Sequence, residues 1–276
     1  MALPLAALLV TIFSVQFGAS FAKRLFPLFG VEMTTALRLC LGTLLLLPVL
    51  RPWRLRLPPR AWPALLLFGA VLAAMNLSFY LAIQRIPLGI AVALEFTGPL
   101  TLAALTSHRP AHLAWVALAA LGVLLLLPLT RSAPALNLTG VLLALGAACA
   151  WALYTLLGQR IGAAWGTGVI TLSMAAGGLL LLPVALLRPH HLILAPRELG
   201  DALMVGLFSS ALPYPLELFA LTRMSTRVYG TLTSLEPAVG ALMGLLVLRE
   251  LPTAIQLTGI AAVMAASVGV ATSERR

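Results

Sequence analysis

Four ionisable side chains, Arg38, Glu95, Glu217 and Glu236, fall inside long apolar runs of this 276-residue chain. One guanidinium and three carboxylates can hold a zwitterion, the cation taking a carboxylate and the carboxylates an ammonium. They can also handle a proton. One positive charge against three negative leaves an excess that a proton on one glutamate relieves. A charge at the centre of a bilayer costs roughly 2.5–3.5 kcal/mol on insertion scales, so these groups are expected to face a cavity or one another. For Arg38 and Glu95, at similar depth, a solute or proton site and a static ion pair between helices both stand. Glu217 lies near the end of its run, where pairing with Arg223 is an equal alternative.

Two prolines add backbone acceptors. Pro99 cannot donate to the carbonyl of Glu95, and Pro237 leaves that of Thr233 free. The positions correspond. Under an ungapped offset of 138 residues, Ala82 falls on Ala220, Arg85 on Arg223, Leu94 on Leu232 and Pro99 on Pro237. Breaks at matching places in two halves mark a transporter's binding site, although a packing kink without a ligand is the alternative. Gln16 with Ser20, and Asn76 with Tyr80, are spaced i,i+4 and so share helix faces. With Trp151 and Tyr154 they could line a cavity. Ser209, Ser210, Tyr214, Thr97 and Thr233 also lie at depth, and each could instead make an interhelical hydrogen bond.

The elements that must position these residues follow from composition. The chain is 61% hydrophobic and 9% charged, with mean hydropathy +1.04. A soluble domain carries about 25% charged residues, so the expected solvent is lipid. Ten spans can be drawn, at 3–22, 31–50, 62–83, 88–107, 112–130, 139–158, 167–187, 200–221, 227–248 and 253–271. Five lie on each side of a hinge at Thr130 to Asn137, giving units 1–130 and 138–276. An odd number of spans inserts the second unit upside down, so the expected fold class is an all-α membrane protein with two inverted five-helix repeats. The chain opens into an apolar run without a basic leader, which reads as a first span rather than a cleaved signal.

The net charge of +10 rests on arginines at the ends of apolar runs, Lys23 being the only lysine. That pattern fits topology and lipid headgroups rather than nucleic acid. With both termini cytoplasmic, ten loop cations face in and seven out, and RPWRLRLPPR at 51–60 carries most of the bias. GAACA at 146–150, AAGG at 175–178 and AVGALMG at 238–244 read as tight helix packing. Cys40 and Cys149 lie in apolar runs and imply no disulfide framework. No GxxxxGK(S/T), HExxH or GxSxG is present, so neither nucleotide-driven transport nor these enzyme classes are indicated. His108 and His112 have metal-ligand spacing without a third ligand, and they, like His190 and His191, read as loop residues. No metal, no cofactor and no obligatory protein partner is expected.

FGASFAKRLFPLFG at 17–30, TALRLCLGTL at 35–44, PWRLR at 52–56, PLGIAVALEFTGPL at 87–100 and ALPYPLELFALTRMSTRVYGTLTSLEPA at 211–238 carry a resemblance. The chain resembles the drug/metabolite transporter superfamily, specifically its EamA-type permeases, and among these the bacterial threonine/homoserine exporters. The resemblance implies a multi-pass inner-membrane exporter of small neutral amino acids, driven by the proton gradient and working by alternating access around a central cavity. It places Arg38, Glu95, Glu217 and Glu236 at matching positions. A same-fold permease for aromatic amino acids, nucleosides or cationic drugs is the alternative. In VLRE, Arg249 stands where the resemblance leads one to expect glycine, which leaves the role of Glu250 open. For a hydroxyl on the cargo, Asn76 or Tyr80 is the expected partner.

Overall fold

The structure, a computed structural model, describes residues 2–106, 111–126, 137–166, 168–187, 196–221, 223–224, 229 and 232–273. The regular elements among them are helical. Most of the expected hinge, His108, and His190 with His191 lie outside the described residues, as does the side chain of His112.

The first element, α1, runs from Ala2 to Leu50 and is broken at Gly30, where φ is 73° and ψ 166°. Alanines built at Gly18 and at Gly42 would both press on residues 206–210. A straight helix would hold those two glycines about 36 Å apart, so the chain doubles back at Gly30 into a first limb, 2–29, and a second, 31–50. The expected loop at 23–30 is corrected here. Helix continues past Lys23, Arg24 and Pro27, because both cations find acceptors on other elements. Lys23 Nζ donates to the Ile86 carbonyl at 3.1 Å and Arg24 to that of Val247.

Helices α2 (Ala61–Ile83), α3 (Leu88–Thr106) and α4 (Ala111–Leu126) follow, then α5 (Leu138–Trp165) and α6 (Val169–Leu186). The Asn137 side chain caps α5 by accepting from Gly140 N, supplying a partner for an N–H that the first turn leaves orphaned. The expected span 200–221 is not one regular helix. It divides into α7 (Pro196–Gly206), a π-helical stretch Leu207–Ala211, and α8 (Pro213–Leu221). Of the expected span 227–248, α9 (Glu236–Met243) and a second π-helical stretch, Gly244–Leu248, are described, ahead of α10 (Ala254–Ser273). Pro237 sits in the first turn of α9, a position that needs no N–H. Pro99, by contrast, lies inside continuous α3. The two prolines therefore interrupt their segments differently, which corrects the expected symmetry of the breaks.

Leu3–Leu50, Ala61–Ile83, Leu138–Trp165 and Val169–Leu186 are long and apolar enough to cross a membrane, and shorter apolar helices cover Leu88–Leu102, Ala114–Leu126, Glu236–Leu248 and Ala254–Val270. Large apolar side chains such as Leu66, Leu142, Leu179 and Leu246 stay exposed, as a lipid-facing surface requires. Inside, backbones meet at small residues. Gly69 of α2 meets Gly177 of α6, Gly98 of α3 meets Ala148 of α5, and Gly122 of α4 meets Gly259 of α10. In lipid such close approach, rather than hydrophobic expulsion, drives packing. Gly146 has open space around it and takes no part.

One end of the bundle is tied by charge. Lys23 Nζ lies 2.6 Å from Glu250 Oε1, and Glu250 Oε2 accepts from Leu88 N, at the start of α3, at 2.7 Å. The carboxylate thus caps a helix N-terminus, where negative charge is favoured. Arg249 precedes it in a left-handed conformation (φ 59°, ψ 31°). That conformation accounts for the glycine expected there.

Candidate functional site

Arg38, on the second limb of α1, is 6% exposed. Its Nη2 donates to the Ser209 carbonyl at 2.8 Å and its Nε to Ser210 Oγ at 3.2 Å. The guanidinium carbon stands 5.2 Å from the centre of the Tyr80 ring. The Ser209 carbonyl is available because Pro213, four residues on, has no N–H to give it. The chain there relaxes into the π-helical stretch, with Leu212 N bonded to the Leu207 carbonyl at 2.9 Å. Ser14 on the first limb takes up the neighbouring Phe208 carbonyl at 2.6 Å. A proline on one helix thus builds the seat for a buried cation on another. No ion pair within 4 Å joins Arg38 to Glu95 among the described residues, so the static-pair alternative is not what holds Arg38.

Arg38, Glu95, Glu217 and Glu236 all line one cavity of about 90 Å³. Gln16, Asn76 and Tyr154 line it too, with Tyr214 and Tyr229. The first limb of α1 supplies one wall from Leu8 to Ala19, and the rest comes from α2, α3, α5, α8 and α9 together with Arg38 of the second limb, Ser209 of the π-helical stretch and Tyr229. Glu217 accepts from the Tyr229 hydroxyl at 2.7 Å. The alternative pairing with Arg223 is corrected, since the Arg223 guanidinium lies over the Phe219 ring, 4.1 Å from its centre. Asn76 Nδ2 is committed to the Leu72 carbonyl of its own helix at 2.8 Å. Aromatic packing fixes the floor. Phe68 stacks on Tyr154 with centroids 4.9 Å apart, and Phe96 meets Trp151 edge-on at 5.7 Å.

Tyr80 is displaced from its expected place. It is fully buried behind Arg38, with its hydroxyl 3.5 Å from Ser209 Oγ, and it supports the guanidinium rather than lining the cavity. Pro99 and Pro237 are not on the lining either. Their effect is on the helices that carry Glu95 and Glu236. Sequence reasoning missed Tyr229, the Ser14 contact and the seat made by Ser209 and Ser210. The prolines of ALPYP at 211–215 were the available signal for that seat. A second crevice, of about 360 Å³ between α3 and α4, is walled by Leu100, Val116, Val123 and their neighbours and carries no ionisable side chain. Among the described residues no cluster of His, Cys, Asp or Glu is arranged to hold a metal.

Chemically, the cavity offers one held cation, three carboxylates, two amides and phenol hydroxyls in a space suited to a few heavy atoms. Comparison with known proteins adds to this. Residues 138–272 match the model of the EamA-like transporter family. Over 274 residues the chain is 47% identical to the threonine/homoserine exporter RhtA of Escherichia coli strain K12, covering 99% of this chain and 93% of that protein. Identity to RhtA of Salmonella typhimurium strain LT2 is 46% over the same shares. A solved crystal structure, 19% identical, superposes with TM-score 0.69 over 97% of this chain and 96% of its own, and so shares the fold.

Proposed function

The chain belongs to the EamA-like transporter family, and from that premise we propose that it exports small neutral amino acids of the threonine and homoserine kind across a bacterial inner membrane. The observation that carries this reading is the gathering of Arg38 and three glutamates on one small cavity, in a chain so like RhtA. Arg38 takes the carboxylate of the zwitterion, and Glu95 and Glu236 take its ammonium or a proton. Glu217, tied to Tyr229, tunes the charge around them. Proton coupling follows, because cargo and proton compete for the same carboxylates. The relatives are transporters rather than enzymes. A cationic cargo is disfavoured by charge, since it would meet the Arg38 guanidinium on the lining.

The architecture that goes with this function has ten spans in two inverted repeats, both termini cytoplasmic, and works by alternating access. The packing pattern supports it. Helix α2 lies on α5 and α8 on the first limb of α1, while the end of α7 meets the second limb, and α3 pairs with α9, α4 with α10 and the second limb with α6. Three of these pairings, α3 with α9, α4 with α10 and the second limb with α6, join segments at corresponding places in the two halves, which is the pattern a pseudo-two-fold axis produces. Gly30 and Gly166, each between two consecutive apolar segments at corresponding places, share an unusual backbone conformation, with φ 73° and 79°. The Lys23–Glu250 pair closes the outer end in this arrangement, while the cavity follows the first limb toward the inner end. The test is cellular. Expressed in a threonine-sensitive bacterium, the parent is expected to confer resistance and threonine efflux, and Glu95→Gln to reach the membrane and lose both. A parent that exports no hydroxy amino acid contradicts the reading.

A further inference from the structure

We propose that the Gln16 carboxamide reads the side-chain hydroxyl of the cargo, an inference that rests on the export reading above. Gln16 is 2% exposed, on the first limb of α1, and lines the cavity. Its Oε1 is buried with no hydrogen-bond partner among the described residues. It lies where α1 crosses α9, since a Cβ added at Gly240 would stand 3.4 Å from that oxygen. Glu236 is one turn away along α9, so Gln16 sits beside the groups that hold the charged ends of a zwitterion.

Three other neutral polar groups near the site are already engaged, while the Tyr154 and Tyr214 hydroxyls also line the cavity. Asn76 Nδ2 is bonded to Leu72, the Tyr80 hydroxyl is turned to Ser209, and Thr11 bonds the Ala7 carbonyl. Among the described residues the other buried orphans are Thr171 and Ser173, on α6 and off the cavity lining. A buried oxygen without a donor costs free energy, and native interiors keep very few. An apolar side chain would fill the Gln16 position without that cost. The protein's own described groups therefore leave Gln16 with hydrogen-bonding capacity that an entering ligand can use. A hydroxyl both donates and accepts one hydrogen bond, and a carboxamide offers the matching acceptor and donor, whichever way its amide is turned. A site that commits a buried polar group to a hydroxyl strongly rejects the isostere lacking it. Threonine and valine are that pair.

The test is competition binding of threonine, homoserine and valine to the purified full chain, parent and Gln16→Met, with melting of the empty proteins alongside. The parent is expected to prefer threonine over valine by at least about a hundredfold, and Gln16→Met to lower that preference at least about tenfold. The empty Gln16→Met protein is expected to melt no lower than the parent. A parent that binds valine as well as threonine overturns the inference whether or not the variant folds. A variant that keeps the parent's ratio overturns it too, as does one that melts lower and weakens both ligands equally. A parent that binds neither threonine nor homoserine contradicts the export reading itself and removes this inference with it.

Discussion

Lys23 Nζ lies 2.6 Å from Glu250 Oε1, so the first limb of α1 is held to the turn after the π-helical end of α9. Through Leu88 N the same carboxylate also holds the start of α3. These elements come from both halves of the chain, and the knot lies beyond the cavity's Ala19 end.

Glu250→Gln keeps the size of the side chain and removes its charge. For a partly exposed pair the loss is up to about 1 kcal/mol, roughly a fivefold shift in the open population. A cysteine placed at Ala19 is expected to react severalfold faster with a membrane-impermeant thiol reagent from the outer side in this background. Unchanged labelling would show that the pair is not a closure.

Arg249 holds a left-handed backbone (φ 59°, ψ 31°) with its side chain exposed. An L-residue is disfavoured there by roughly 1–2 kcal/mol. Arg249→Gly is expected to raise the melting temperature by a few degrees, on the order of 1 kcal/mol, with transport retained. A lower melting temperature would mean that the arginine side chain makes a contact worth more than the backbone strain.

Gly166 has φ 79° and ψ 178°, a region reached almost only by glycine, and a Cβ there meets nothing within 4 Å. Gly166→Ala therefore isolates the backbone cost, about 1–3 kcal/mol. Gly30→Ala, at φ 73° and ψ 166°, is expected to cost a similar amount. A neutral Gly166→Ala in thermal unfolding would contradict the assigned conformation.

Much of this was legible in the sequence, for physical reasons. Apolar length marks helices in lipid, and charge at depth marks a cavity, so Arg38 and the three glutamates could be picked out singly. What the sequence hid was tertiary. Lys23 and Arg24 look like a loop until Ile86, Glu250 and Val247 supply their acceptors. Tyr80 shares a helix face with Asn76, yet it turns to Arg38 and away from the lining. Pro213 was visible, but the distant cation that uses its freed carbonyl was not, because that pairing spans 171 residues.

The central claim is that Arg38 and the carboxylates around it form the cargo site. Calorimetric titration of threonine into the purified parent and Arg38→Gln proteins tests it most directly. The account predicts saturable binding to the parent and at least about thirtyfold weaker binding to the variant, roughly 2 kcal/mol for losing a buried charge partner. Threonine binding to Arg38→Gln with the parent's affinity would contradict it.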